Sequence, residues 1–342
     1  SALQYAKNST SYYNLNLYAN ANYNHMFGAH SISALAYIFY QQLETESLQG
    51  AQMLPYKRRS IGGSATYGYK ERYFVKADLG YSGSEQFHPN HRYMVTPSIS
   101  VSWIVSDEKF LKHLRWLDLL KLRISYGVTA NDQLGNARML YEDYMDVKGN
   151  EGLKGNPLLS AEKMKKQNYG FDLGLFNNKI DIVFDYFRSE RSNILMQRKT
   201  TPTLSGFRVN QYANYGIVSN HGVDMSLNAH HQIGKVKLSA RGTFTFARNE
   251  IKEYDELPQK YPWMERTGKR INENNLYIAE RLYTKEDFII NKNSNGIESY
   301  TLRPELPQST LGGLLGPGDI KYKDVNGDGV IDSYDKVVGV GH

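Results

Sequence analysis

A strict two-residue alternation opens this chain. From Tyr13 to Tyr23 every second residue is apolar or aromatic, and the residues between them are polar or amphipathic, four of the five being Asn. Side chains of a β-strand point to opposite faces in turn, so this period gives a strand one apolar and one polar face. The first segment is therefore predicted to be a strand between two different media.

The same period recurs in ten segments, and the gaps between them alternate between short and long. The predicted strands are 13–24, 31–40, 60–69, 73–82, 97–105, 120–128, 167–175, 180–188, 218–230 and 235–247. Alternating gaps place all tight turns at one edge and all long loops at the other. Charged residues alternate with apolar ones, and the free-energy cost of these charges is low only if the charged face lines a water-filled lumen. An all-β fold is predicted, a transmembrane antiparallel β-barrel with long extracellular loops; a soluble β-sandwich or propeller is the alternative.

Composition is compatible with such a barrel and excludes several other classes. The chain has 342 residues, of which 27 are Tyr, a residue that favours strands and membrane–water boundaries. No apolar run reaches the ~18 residues of a membrane helix. The absence of Cys excludes disulfides and thiolate chemistry. The net charge of +6 comes without a long basic run, so binding of nucleic acid is not expected and an anionic membrane surface is favoured instead.

The segments divide the chain unevenly. We expect residues 1–247 to form about ten barrel strands with their loops, and 248–342 to form a long extracellular loop region that carries the calcium-type loop and no strand pair as clear as those before it. Ser1 begins no recognisable signal peptide. An open sheet edge in lipid would leave backbone groups unpaired. The expectation is therefore that further barrel strands come from sequence outside this chain.

A calcium-type loop lies near the C-terminus. Oxygen-bearing side chains and one backbone carbonyl fall at the spacing of a calcium-binding loop, with Gly329 at the sharp turn. The predicted ligands are Asp324, Asn326, Asp328, Val330 through its carbonyl, Asp332 and Asp335. The twelfth position carries Asp rather than Glu, which shortens its reach, and a turn and short strand precede the loop in place of a helix. A structural Ca²⁺ ion is predicted, and a metal-free Asp/Gly/Asn turn is the alternative.

Several motifs together resemble one known family. The segment 317–332 (PGDIKYKDVNGDGVID) is similar to the signature near the C-terminal part of SusC/RagA-type TonB-dependent transporters of Bacteroidetes. Five further segments match the family in the same order: 81–87 (YSGSEQF), 97–103 (PSISVSW), 122–131 (LRISYGVTAN), 155–157 (GNP) and 220–224 (NHGVD). Each motif alone is weak, and their combination is specific.

The resemblance implies a 22-stranded barrel in the outer membrane of a Gram-negative cell. It further implies a plug domain in the lumen, energy coupling through TonB, and a SusD-like surface lipoprotein that covers the barrel. The implied function is import of oligosaccharides or peptides. We expect the plug, the TonB-contacting segment and the terminal strands to lie outside this chain, which then represents the middle-to-late part of the barrel.

Candidate substrate contacts are aromatic residues in the predicted loops. Their rings could stack on sugar rings or peptide groups at the barrel mouth, or could pack the loops together. They are Tyr141, Tyr144, Tyr212, Tyr215, Tyr261, Trp263 and Tyr300. Enzyme motifs are poor, since 62–68 lacks the Lys-Ser/Thr ending of a phosphate loop and His88 and His91 have no third ligand nearby. The alternatives to an active importer are a passive porin or surface-binding barrel, and a secreted calcium-stabilised β adhesin.

Overall fold

The chain forms two compact units, Ser1–Asp255 and Glu256–His342. The computed structural model describes residues 11–45, 54–135, 137–145, 149, 151–201, 203–206, 208–292, 294 and 296–339. In the described part no helix is long and apolar enough to cross a membrane.

The first unit is built on one ten-stranded sheet in which every strand pairs with its neighbour in sequence. All nine pairings are antiparallel, and the strand order equals the chain order. The strands are β1 (Tyr12–Phe27), β2 (His30–Thr45), β3 (Tyr56–Tyr69), β4 (Tyr73–Ser84), β5 (Tyr93–Ile104), β6 (Leu117–Asn131), β7 (Glu162–Leu175), β8 (Ile180–Gln197), β9 (Tyr212–Ile233) and β10 (Val236–Glu253). The predicted all-β antiparallel meander is therefore confirmed.

The strands are longer than the apolar periodicity indicated, mainly at the ends next to the long connections. The predicted loop 189–217 shows the difference, because β8 and β9 extend into it and pair as far as Gln197 with Tyr212. A ladder is held by backbone hydrogen bonds and continues through polar residues wherever a partner strand is present. Crossing a bilayer takes only about 9–11 residues, so the hydrophobic pattern ends before the strand does.

Tight turns join the strands at one edge of the sheet. Gly28 and Gly234 have φ near +60°, at the two-residue turns that follow β1 and β9. Asn177 and Asn178 adopt φ of +60° and +54° between β7 and β8. Asn tolerates this left-handed region better than most residues, which agrees with the short gap between the predicted strands 167–175 and 180–188.

Long connections leave the opposite edge of the sheet. A small core packs part of these connections together; it contains Phe87, Met94, Leu140, Leu159 and Ala161. Phe87 and Leu159 are almost fully buried, at 0% and 1% exposure. The connection between β2 and β3 falls largely outside the described residues, at 46–53.

One face of the sheet is an apolar surface that continues across the strands. Val101 pairs with Ile124, and Ile124 pairs with Tyr169, so three neighbouring strands present apolar side chains in one row. These side chains are 47%, 55% and 44% exposed in the described chain. An apolar surface of this extent on a sheet is the lipid-facing side of a transmembrane barrel.

Among its described residues, the second unit contains eight short strands that form four two-stranded sheets. They are β11 (Asn275–Leu276), β12 (Ala279–Leu282), β13 (Phe288–Lys292), β14 (Glu298–Leu302), β15 (Gln308–Ser309), β16 (Ile320–Tyr322), β17 (Val330–Ile331) and β18 (Val337–Val338). The pairs are β11–β18, β12–β16, β13–β14 and β15–β17, and the last of these is parallel. The short strand expected before the calcium-type loop is present as β16.

The two faces can be tested with neighbouring substitutions in β6. Ile124→Lys places a charge on the lipid face near the middle of the strand, and we expect it to destabilise the folded barrel by about 2–4 kcal/mol. Ser125→Lys is the matched control, because Ser125 lies on the polar face and lines a cavity there. Folding of the full-length protein into liposomes during urea titration measures both. Equal destabilisation by the two variants would contradict this assignment of the faces.

Candidate functional site

The polar face of the sheet carries a wide cavity of about 790 Å³. Charged side chains in its wall come from β3, β4, β6 or the residues just after it, and β7: Arg58, Lys76, Asp78, Asp132 and Lys166. Hydroxyl groups fill the space between them, from Ser60, Ser82, Thr96, Ser98, Ser100, Ser125 and Thr129. Such a surface offers hydrogen-bond donors and acceptors over a broad area, and neither positive nor negative side chains dominate it.

A network around Asp132 connects this wall to the long connection after β6. Asp132 is only 5% exposed. The Tyr56 hydroxyl donates to Asp132 Oδ2 at 2.6 Å and Arg58 Nε donates to the same oxygen at 3.0 Å. Arg138 lies over the Tyr56 ring at 5.0 Å. The carboxylate therefore neutralises Arg58 and holds the start of the connection against β3.

A second charged cluster lies among β6, β7 and β8. Arg123 contacts Asp172 at 2.8 Å and Asp185 at 3.2 Å. Gly170 leaves room for this arrangement, because a Cβ atom there would lie 2.3 Å from Asp185 Oδ1 and 3.0 Å from an Arg123 guanidinium nitrogen. An ion cluster of this kind costs much free energy when it faces lipid and little when it faces water. It therefore identifies the lumen side of the barrel wall.

The connections above the wall are fixed by side-chain hydrogen bonds to the backbone. Asn214 accepts from the Ser160 N–H at 2.8 Å and donates to the Ser160 carbonyl at 2.9 Å. Asn156 donates to the Tyr212 carbonyl at 2.9 Å. These contacts join the end of the β6–β7 connection to the start of β9, so this part of the barrel mouth is an ordered surface.

The predicted substrate aromatics occupy different environments, and none of them lines the 790 Å³ cavity. The Tyr144 hydroxyl donates to the Arg138 carbonyl at 2.7 Å, and burial raises the pKa of Tyr144. Tyr141 forms an edge contact with His88 at 5.8 Å. Tyr212 and Tyr215 lie in β9 rather than in a loop, and the Tyr215 ring, 41% exposed, stacks on Arg198. Tyr215 is thus the more available of these two rings.

Three predicted aromatics lie in the second unit, where they join its segments. Trp263 stacks on Tyr261 with ring centroids 4.6 Å apart, and its indole N–H donates to the Tyr334 carbonyl at 2.9 Å. Tyr300 donates its hydroxyl to Glu298 at 2.6 Å. These contacts support packing of the unit, while substrate contact by the same rings stays a prediction.

The calcium-type loop is closed by hydrogen bonds from its backbone to its own side chains. Asp324 accepts from the N–H groups of Gly327 and Gly329 at 2.6 and 2.8 Å. Asp335 is fully buried and accepts from the N–H groups of Val325 and Asp332 at 2.8 and 2.9 Å. Gly327 and Gly329 both have positive φ, of +75° and +79°.

The other predicted ligands form local turns in the same loop. Asn326 accepts from the Asp328 N–H at 2.9 Å, Asp328 from the Val330 N–H at 3.0 Å, and Asp332 from the Tyr334 N–H at 2.7 Å. Within the described ranges no three His, Asp or Glu side chains form a metal-binding group. The calcium ion therefore stays a prediction.

Asp287 forms a bidentate ion pair with Arg281 in the second unit. Two Arg281 nitrogens donate to its two oxygens at 2.6 Å each, and the Thr284 N–H donates to Asp287 Oδ2 at 2.7 Å. The Arg281 hydrogen bonds, followed by the Thr284 N–H, hold the pKa of Asp287 well below its usual range. Sequence reasoning missed this pair and the Arg58–Asp132 pair; Arg58 and Asp132 lie 74 positions apart, and neither belongs to a motif.

Residues 2–336 match the family described as TonB dependent receptor-like, beta-barrel. TonB-dependent receptor P39 of Formosa agariphila is 29% identical over 78% of this chain and 28% of its own length. TonB-dependent receptor SusC of Bacteroides thetaiotaomicron is 25% identical over 82% of this chain and 28% of its own length. The chain thus spans about 30% of the length of these relatives.

A solved structure with the same fold is the RagAB peptide importer in its closed-closed state. It superposes with a TM-score of 0.67 at 23% identity, over 86% of this chain and 37% of that chain. At this identity the likeness concerns the fold alone, and it agrees with the antiparallel meander described above.

The Asp287 pair predicts loss of stability in acid. Because the pKa of Asp287 is lowered in the folded protein, its contribution is complete above the unfolded value of about 3.9 and is lost as pH falls through the folded pKa. The protection of residues 279–292 and 296–303 against hydrogen exchange in the full-length protein, corrected for the pH dependence of intrinsic amide exchange, should therefore fall below about pH 4. Asp287→Asn should exchange faster at neutral pH and respond less to acid.

Glu286→Gln is the control for this experiment. The neighbouring Glu286 carboxylate makes no hydrogen bond or ion pair with a described residue, so its loss should leave the exchange profile unchanged. A wild-type profile that is flat from pH 6 to pH 2.5 would contradict the role given to Asp287.

Proposed function

Because the chain belongs to the TonB dependent receptor-like β-barrel family, we propose that it forms barrel wall and outer loops of an active importer in a Gram-negative outer membrane. Members of this family are outer-membrane transporters rather than enzymes. The proposed cargo is an oligosaccharide or a peptide. One observation carries this proposal beyond the family. The face of the sheet opposite its apolar surface is a broad wall of hydroxyl and paired charged groups.

The wall suits the passage of polar oligomers. Its charges are largely neutralised, as in the Arg58–Asp132 and Arg123–Asp172 pairs, so no strong field selects one ion. Serine and threonine hydroxyls can both donate and accept hydrogen bonds, which matches the groups of sugars and of peptide backbones. A large lumen is expected of a barrel with many strands.

The proposed partners are a SusD-like lipoprotein at the barrel mouth and TonB acting through a plug. Support for them comes from the relatives, one of which is named SusC, and from the fold shared with the RagAB peptide importer. The ordered connections around Phe87 and Asn214, at the long-connection edge, would provide a firm binding surface for a lipoprotein. The competing function is that of a passive porin, which would transport solutes without energy supplied through TonB.

Uptake measurements in the native organism test the proposal. Deletion of the gene should abolish growth on one class of oligomer, glycan or peptide, while growth on the corresponding monomers continues. Removal of TonB should have the same effect, and a tagged full-length protein should purify with a lipoprotein. Uptake of labelled oligomer that persists without TonB would support the porin and overturn the importer.

We further propose that the loop 324–335 binds a calcium ion. Support comes from its oxygen spacing and from the two glycines at positive φ that let the loop turn sharply. A carboxylate offers about four lone-pair sites, so an oxygen that accepts an N–H group can also face a cation. The ion would add to a loop that its own hydrogen bonds already close.

Two Asp→Asn variants separate the ion from the hydrogen bonds. Asp335→Asn loses an acceptor for buried N–H groups, at a cost of about 1–3 kcal/mol, and should open the loop with or without calcium. Asp328→Asn keeps an acceptor for the Val330 N–H, so the loop should hold without calcium but gain less from the ion. Limited proteolysis of residues 316–339 in the full-length protein, with calcium or a chelator, measures both. A wild-type loop equally resistant under the two conditions would contradict calcium binding.

A further inference from the structure

The connection between β5 and β6 folds back against the lipid-facing side of the sheet. We call residues 105–116 the rim segment. Glu108 of this segment accepts hydrogen bonds from the Tyr73 hydroxyl and from Trp103 Nε1, the latter at 3.3 Å. The Tyr73 and Trp103 rings stack with centroids 6.1 Å apart, and Trp103 pairs with Leu122 on the apolar face. The rim segment is thereby held at the outer edge of the barrel wall.

Two large apolar side chains of the rim segment are exposed beside its cations. Phe110 is 59% exposed and Trp116 is 48% exposed. Lys109, Lys112 and Arg115 are exposed as well, and none of these three cations forms an ion pair with a described residue. The segment thus combines rings that avoid water with charges that attract anions.

The two carboxylates of the rim segment do not cancel these cations. Glu108 is occupied by Tyr73, Trp103 and Arg72, the last at 3.5 Å. Asp107 is the other carboxylate of the segment, against three cations. The adjoining turn extends the same character, because the Phe176 N–H donates to the Trp116 carbonyl at 2.9 Å and exposed Lys179 follows in that turn.

We propose that the rim segment binds the phosphate headgroup of an anionic phospholipid. Aromatic rings of membrane proteins lie at the headgroup level, with cations next to the lipid phosphates. A soluble anion would leave Phe110 and Trp116 in water, whereas a lipid covers both rings and meets the cations. The tight-turn edge of a bacterial barrel faces the periplasm, so the lipid belongs to the inner leaflet. The site anchors the wall at a defined depth and is independent of cargo and energy coupling.

Native mass spectrometry of the full-length protein tests the site with phosphatidylglycerol and phosphatidylethanolamine as probes. The wild type should retain phosphatidylglycerol preferentially. The triple variant Lys109→Gln, Lys112→Gln and Arg115→Gln should lose about tenfold in that retention. The control triple variant Arg270→Gln, Lys285→Gln and Lys323→Gln removes equal charge from exposed positions of the second unit and should behave as the wild type.

Several outcomes would overturn the proposal. They are equal retention of the two lipids by the wild type, an equal loss in both triple variants, and displacement of phosphatidylglycerol by millimolar inorganic phosphate, which would indicate a site for free anions. A second measurement does not depend on the triple variant folding. In nanodiscs, brominated phosphatidylglycerol should quench wild-type tryptophan fluorescence more than brominated phosphatidylethanolamine does. The double variant Trp103→Phe, Trp116→Phe, which removes both tryptophans at the site, should abolish that difference, and its persistence would exclude this location.

Discussion

The structure depends on the backbone hydrogen-bond ladder that joins ten strands without a break in their order. Inside a bilayer no water can satisfy a backbone N–H or C=O group, so each strand needs continuous partners. The meander provides them between each strand and the next in the chain. The register of this ladder also fixes where the turns lie along the strand direction. It places the tight turns at Gly28 and Gly234 at one edge of the sheet and the long connections at the opposite edge.

Once the ladder is set, side-chain chemistry separates two surfaces that are only one strand thick. Ile124 and Ser125 are neighbours in sequence and lie on opposite faces. The lumen face carries ion pairs such as Arg123 with Asp172 and Asp185, and close packing there requires Gly170. Paired charges keep that face polar while limiting its net electric field.

The two edges of the ten-stranded sheet, where the strands end, carry different groups. At the long-connection edge, a small core around Phe87 and the hydrogen bonds of Asn214 convert irregular backbone into an ordered surface. At the tight-turn edge, Glu108 joins the rings of Tyr73 and Trp103 to a cationic segment. The proposed cargo and lipoprotein would meet the first edge, and the proposed lipid headgroups would meet the second.

The sequence by itself predicted the ten strands of the large sheet, their two different faces and the short turns between them, because these follow from a two-residue period and from local turn chemistry; apart from β16, it did not predict the short strands of the second unit. It also predicted a calcium-type loop from spacing alone. Only the tertiary structure decided how far the strands extend, since pairing of 189–197 with β9 depends on backbone partners rather than on apolar residues. The Arg58–Asp132 pair, the Arg281–Asp287 pair and the Glu108 contacts were likewise decided there. Each joins residues whose types are common on any polar surface, and only folding brings the charges within contact distance.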